Sequence, residues 1–259
     1  MTYQPADVFA NLRDRLSPEK RGRRINELDL QSALRDVRSI SASIPERDAA
    51  EAYVLARWRR FDEAEQAADR LLAKWGKDAF TLYHAARAYA QALCYVKAQA
   101  AMSERSVFTP GDLSALRNLE HLSMVAASFI TAYAAKEELL RIGVPSIEVD
   151  LAEAQEEAEW MKDKGITDQQ LAAYFQAHVD VVREYMNGQI DRLFATREQI
   201  KVLDGEEVLC LDVCVNVDGK TAAQIQWDMA GRDFSAFPES LRDRVVIGIK
   251  PRANPGMNE

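Results

Sequence analysis

No run of about 18 apolar residues occurs in the 259-residue chain, so no segment reads as a membrane-spanning helix. The N-terminal stretch MTYQPADVFANLRDRLS lacks the apolar centre of a signal peptide. Cysteine is scarce, with only Cys94, Cys210 and Cys214. An odd, low number without a leader fits thiols kept reduced, and the expected location is cytoplasmic. Histidine is as scarce. His84, His121 and His178 lie far apart with no partner at H-E-x-x-H spacing, so each reads as a packing or surface histidine. Cys210 and Cys214 are four apart, which matches neither a zinc knuckle nor a redox C-x-x-C. A glycine-rich phosphate loop and a G-x-S-x-G elbow are also lacking. The expectation is therefore a non-enzyme with no catalytic residues, no cofactor and no metal.

Excess positive charge is lacking too. Asp and Glu number 41 against 33 Lys and Arg, a net charge of -8. That balance opposes general nucleic-acid binding, which rewards excess Lys and Arg. Lys20, Arg21, Arg23 and Arg24 form the one basic cluster, and a solvated loop is its ordinary reading. Residues 147–164 are strongly acidic, through Glu148, Asp150, Glu153, Glu156, Glu157, Glu159 and Asp163, with Leu151, Ala154, Ala158 and Met161 as the buried face. A surface helix explains this, and a site for a basic partner is the sharper alternative.

What the chain has is helix. Hydrophobic residues make up 47% of it, enough for a sizeable core. Val8, Phe9, Leu12 and Leu16 recur at helical spacing over 5–16, and a second helix is expected over about 25–43. Residues 46–142 are rich in Ala, Leu, Arg and Glu, with breaks at Gly76, Pro110-Gly111 and Gly143. A further helix pair is expected over roughly 147–164 and 168–200. The second carries the stripe Leu171, Tyr174, Phe175, His178, Val182, Tyr185 and Met186, with Thr167 or Asp168 as cap and a possible break at Asn187-Gly188. Then the period changes to two. Leu209, Leu211, Val213, Val215 and Val217 alternate with polar residues, Asp218-Gly219 follows, and Ala223, Ile225, Trp227 and Met229 alternate again. The favoured reading is a hairpin about Asp218-Gly219. The alternative for the second run is a helix capped by Asp218 and stopped by Gly231. Residues 245–249 are a third strand candidate.

Residues 45–78 and 79–112 repeat one another. Ala52 matches Ala86, Leu55 matches Tyr89, Phe61 matches Tyr95, Ala64 matches Ala98, Ala67 matches Ala101 and Gly76 matches Pro110, every pair 34 apart. This stretch resembles the tetratricopeptide repeat, whose period is about 34 residues. The resemblance covers about 70 residues. It departs at Asp48, where a large residue is usual, at Gly76 in place of proline, and at Glu120, where a third copy would need a small residue.

The fold class expected is mainly α: a tetratricopeptide-like α-α repeat array followed by a small α+β C-terminal region with a β-hairpin. The domains would be 1–145, the helical repeat, and 146–259, a helix pair plus a small antiparallel sheet. Such arrays have a concave side lined by the first, or A, helix of each pair. By resemblance the inward residues are Tyr53, Ala56 and Arg57 in one copy, and Phe80, Tyr83, Arg87, Ala90 and Gln91 in the next. Tyr53, Arg57, Phe80, Tyr83, Arg87 and Gln91 are the expected partner-binding residues, with each tyrosine–arginine pair from an equivalent turn. Aromatics beside arginine dominate binding hot spots. The Lys/Asn pattern that clamps a C-terminal carboxylate in some members is absent. The expected function is a non-catalytic adaptor or scaffold that binds another protein or peptide segment. The alternatives are a regulator in a nucleic-acid complex and a helical nuclease using Arg117 and His121.

Overall fold

The computed structural model describes residues 5–16, 25–144, 148–187, 194–203 and 205–251. The basic cluster at 20–24 and the tail beyond residue 251 lie outside them. The described chain is mainly helical, with consecutive packed helix pairs and a small three-stranded sheet at the C-terminal end. Its helices are α1 (Pro5–Arg15), α2 (Glu27–Ser39), α3 (Pro45–Arg57), α4 (Phe61–Trp75), α5 (Ala79–Gln91), α6 (Tyr95–Phe108), α7 (Leu113–Val125), α8 (Phe129–Arg141), α9 (Glu148–Asp163) and α10 (Asp168–Met186). After β1 (Phe194–Leu203) and β2 (Glu206–Val215) come α11 (Gly219–Ala230), α12 (Glu239–Arg242) and β3 (Val245–Pro251).

The helix starts keep one register. A helices begin at Pro45, Ala79 and Leu113, and second, or B, helices at Glu27, Phe61, Tyr95 and Phe129, all in steps of 34 residues. Local chemistry sets these starts. Pro45 occupies the first turn of α3, where its missing N–H costs nothing. Asp78 caps α5 by accepting from the backbone N–H groups of Phe80 and Thr81 at 2.9 and 2.8 Å. Asp112 caps α7 in the same way, accepting from Ser114 at 2.8 Å and Ala115 at 3.3 Å.

The A-to-B turn also repeats. Arg60 N–H bonds the Leu55 carbonyl, Cys94 bonds that of Tyr89, and Ser128 bonds that of Ser123, at 3.1, 2.8 and 2.8 Å. With the shorter bonds Arg59 to Ala56, Leu93 to Ala90 and Ala127 to Met124, each turn is a Schellman motif. The residue in the left-handed region is Arg59, Leu93 or Ala127, with φ of 61°, 61° and 55°. Glycine is the usual choice there. Three non-glycine residues accept the strain because the paired helices on either side fix the turn.

Four sets of equivalent positions recur on the B helices: Leu30, Ala64, Ala98 and Ala132; Ala33, Ala67, Ala101 and Ala135; Leu34, Ala68, Met102 and Lys136; Val37, Leu71, Arg105 and Leu139. All but Arg105 are buried. Small residues in the first two rows allow close helix approach. The third hairpin, α7–α8, therefore keeps the register although Glu120 replaces the alanine of the earlier copies. Its compensation is Lys136, in the row otherwise filled by Leu34, Ala68 and Met102. The Lys136 ammonium lies 3.5 Å from the Glu120 carboxylate. The two charges that depart from the repeat face each other across one hairpin.

The chain forms two compact units, one of Met1–Ala115 with Asn187–Ile190, the other of Leu116–Met186 with Asp191–Glu259. In the first, α3 packs on α4 and α5, α4 on α5, and α5 on α6, while α2 packs on α3 and α1 on both α2 and α3. In the second, α8 packs on α9 and α10, and α10 on α11. The stripe on α10 is buried through Leu171, Tyr174, Phe175, His178, Val182 and Met186, with Tyr185 half-buried. Thr167 and Gln170 form the reciprocal cap of α10. Asp168 instead accepts from Ile130 and Thr131 at 3.0 and 2.8 Å, capping the neighbouring helix α8.

The C-terminal region corrects three expectations. The helix expected over 168–200 ends at Met186, and residues 194–203 form β1. Second, the hairpin turn lies between Leu203 and Glu206, not at Asp218-Gly219. Leu203 pairs with Glu206 in an antiparallel register, and Gly205 takes φ +86°, the backbone region a tight hairpin requires. Asp218 is an N-cap, accepting from Thr221 N–H at 2.8 Å, and the following run is helix α11. Ala222, Ile225 and Met229, at helical spacing, are its buried positions, while Trp227 is 77% exposed. The helical period outweighs the period of two because only it buries a consistent face. Third, the sheet is mixed. β3 pairs parallel to β2, because the chain crosses over through α11 and α12 before returning. The strand candidate at 245–249 is present as β3.

Candidate functional site

The A-helix face of α3 and α5 carries the six residues named from the sequence. Tyr53, Phe80, Tyr83 and Gln91 are half-buried, and Arg57 and Arg87 are exposed. The 34-residue register corrects one detail. Tyr53 corresponds to Arg87 and Arg57 to Gln91, while Tyr83 stands one turn earlier at the position of Ala49. The two tyrosine–arginine pairs are offset by a turn rather than level.

Tyr83 is the centre of the α5 end. The Arg87 guanidinium, four residues on, donates to its hydroxyl at 3.2 Å and lies 5.6 Å from the ring centroid. Arg105, from α6, lies 5.1 Å from the same ring. Arg105 is held in turn by the Ala79 carbonyl at 3.3 Å and the Asp112 carboxylate at 3.2 Å. Two cations beside one half-buried ring form a favourable cation–π arrangement. Sequence reading missed Arg105, although it stands where the other B helices have Val37, Leu71 and Leu139.

Phe80 and His84 face α1. The Phe9 ring stacks on His84 with centroids 4.3 Å apart and planes at 24°, and meets Phe80 edge-on at 6.4 Å. Burial, with the nearby Arg87 charge, lowers the His84 pKa from 6.5 to about 4, so the ring is neutral at pH 7. At the far end of α1, Arg57 donates to the Leu16 carbonyl at 3.4 Å. Phe9, flanking the Val8–Leu12–Leu16 stripe, was the available sequence signal for this contact.

A second feature of the same unit explains the departure at Asp48. Its carboxylate accepts from Arg47 at 2.7 Å, Lys74 at 2.8 Å and the Trp75 indole at 2.8 Å, tying the end of α4 to the start of α3. Burial, which raises the pKa, is outweighed by these hydrogen bonds, which hold the carboxyl below its usual range. A groove of about 430 Å³ opens here, lined by Arg47, Asp48, Glu51, Arg70 and Lys74.

In the other unit, α9 buries Ala154, Ala158, Trp160 and Met161 and turns Gln155, Glu156, Glu159 and Asp163 outward. Those four side chains, with Glu207 and Ile200, line a groove of about 310 Å³. His178 is buried, stacked on Phe234 at 4.0 Å and bonded to the Tyr174 carbonyl at 2.8 Å. Arg117 and His121 are both exposed on α7. Cys210 and Cys214 are not joined to each other. Among the described residues, no three His, Cys, Asp or Glu side chains gather into a metal cage, and no helix is long and apolar enough to cross a membrane.

These features define a class: a mainly helical chain built on repeated helix hairpins with a small C-terminal sheet. Protein-family models, curated proteins and solved structures offer no match to this chain.

Proposed function

We propose that this chain is a non-catalytic adaptor that binds a segment of another protein on the A-helix face of α3 and α5. The observation behind this reading is Tyr83, half-buried between the guanidinium groups of Arg87 and Arg105, next to exposed Arg87. An aromatic fixed beside arginines offers apolar contact area together with donors for carboxylates, the combination typical of binding hot spots. Arg57 extends the basic edge along α3. The partner segment would carry apolar side chains toward Tyr53 and Tyr83 and acidic ones toward Arg57 and Arg87.

The test is Arg87→Ala and the double variant Arg57→Ala/Arg87→Ala, each immobilised, with quantitative mass spectrometry of proteins captured from an extract of the source cells. Arg87 is exposed, so the thermal midpoint should stay nearly constant while retention of the specific partner falls about tenfold or more. Unchanged retention on folded variants would reject the A-helix face and move attention to the acidic groove of α9.

A further inference from the structure

Among the described helices that precede α3, α1 departs from the repeat register, and it lies on the proposed binding face. Stepping back 34 residues from α3 would start the preceding A helix at residue 11, but α1 runs Pro5–Arg15, six residues early. Its partner α2 does keep the register, beginning at Glu27. Besides packing on its neighbours α2 and α3, α1 reaches α5 through Phe9 on His84 and Phe80. At its other end the Leu16 carbonyl is taken by Arg57 of α3. Thus α1 lies along α3 and reaches α5, touching Arg57 and Phe80 of the candidate set.

We infer that the A-helix face of α3 and α5 is a groove for an amphipathic helix, and that α1 is the chain's own occupant, exchanged for a partner helix of the same pattern. The inference rests on the proposed adaptor reading. The seated helix defines the pattern. Val8, Leu12 and Leu16, at i, i+4 and i+8, are buried to 3%, 3% and 2% exposure, Phe9 flanks them, and Asn11 and Asp14 face solvent. Helix-in-groove recognition uses this kind of spacing. Exposed Arg57 and Arg87 favour carboxylates along one flank of the incoming helix.

Two features make exchange practicable. At 11 residues, α1 is shorter than the roughly 12–15 residues at which isolated helices begin to persist, so undocked it gives up its helical order. The polar ties of Arg15 are at the end of the helix, to Asp36 at 2.6 Å and to Ser32 at 3.1 Å, both on α2. The occupied groove lowers a partner's apparent affinity by the fraction of chains with α1 undocked.

The test uses the full chain and a fluorescein-labelled peptide of residues 4–17 in an anisotropy titration. Phe9→Asp/Leu12→Asp in the full chain releases α1 without altering the groove. The released chain should bind the peptide at least about tenfold more tightly than the parent, and a peptide carrying the same two substitutions should not bind. Imidazole NMR gives a second readout, with the His84 pKa rising from about 4 toward 6.5 on release. Equal peptide binding by parent and released chains, or none by either, overturns the inference. So does loss of the α3–α6 helices by circular dichroism on release, because α1 would then be an integral part of the fold. If peptide binding fails while partner capture remains sensitive to Arg87→Ala, only this inference falls. If capture is insensitive, the adaptor reading falls as well.

Discussion

The first two full hairpins and the third share a backbone and differ in chemistry. In α3–α4 and α5–α6 the A/B crossing is neutral, with Ala52 and Ala86 on the A helices and Ala68 and Met102 on the B helices, all buried. In α7–α8 the same positions hold Glu120 and Lys136 as an ion pair, with side chains 23% and 9% exposed. All three hairpins nonetheless keep the helix starts, the Schellman turn and the first two alanine rows. The difference teaches that the register is carried by turn geometry and by the B-helix rows. One position at the crossing is free to change from methyl to charge, provided a second position changes with it.

The largest expected effect comes from breaking that compensation on one side. Glu120→Ala leaves the Lys136 ammonium, with only 9% of its side chain exposed, without Glu120. It should lower stability by about 3 kcal/mol, read from the shift in a urea midpoint. The equivalent positions in the other hairpins already carry alanine, so the cost is specific to the third.

Overpacking the shared row should cost less and should not distinguish the hairpins. Ala64, Ala98 and Ala132 are each 0% exposed. Leucine at any one of them should destabilise by about 1–3 kcal/mol in the same denaturation assay. Unchanged midpoints at Ala132 alone would mean that the third crossing is looser than the first two.

The smallest effect is a pH dependence, to which Asp48 and His84 supply part of the first unit's share. Asp48 is held below its ordinary value of 3.8, so its contribution is complete above that pH and is lost as pH falls through the lower folded value. His84 titrates near 6.5 when unfolded and at about 4 when folded, so its contribution is complete above 6.5 and is lost between 6.5 and 4. Stability should therefore decline in two stages on acidification. His84→Phe should reduce the loss in the upper stage, leaving the part carried by buried His178, whose pKa is also lowered, and Asp48→Asn should reduce that in the lower, as followed by thermal midpoints across pH.

Much of the array was legible because its signals are local. The 34-residue spacing and the breaks at Gly76 and Gly143 follow from neighbouring residues. The stripe on α10 was legible for the same reason, since Leu171, Phe175, His178 and Val182 share one helical face. The ends of the sheet were not. Two Asp-Gly dipeptides compete for one hairpin turn, and the choice depends on which flanking run gains a buried face. The third hairpin was obscured because Glu120 was weighed alone. Its partner lies 16 positions on, and only the row Leu34, Ala68, Met102 and Lys136 exposes the match. At the candidate site, Tyr83 and Arg87 were legible from helical spacing. Phe9 and Arg105 were not, since both reach the site from other helices.

The direct test of the compensated register is a double-mutant cycle with Glu120→Ala, Lys136→Met and the two combined, the combination reproducing the Ala86 and Met102 pair of the second hairpin. Urea denaturation should place the double variant within about 1 kcal/mol of the parent, with a coupling energy of about 2 kcal/mol or more. A double variant as unstable as the sum of the two single losses would contradict it.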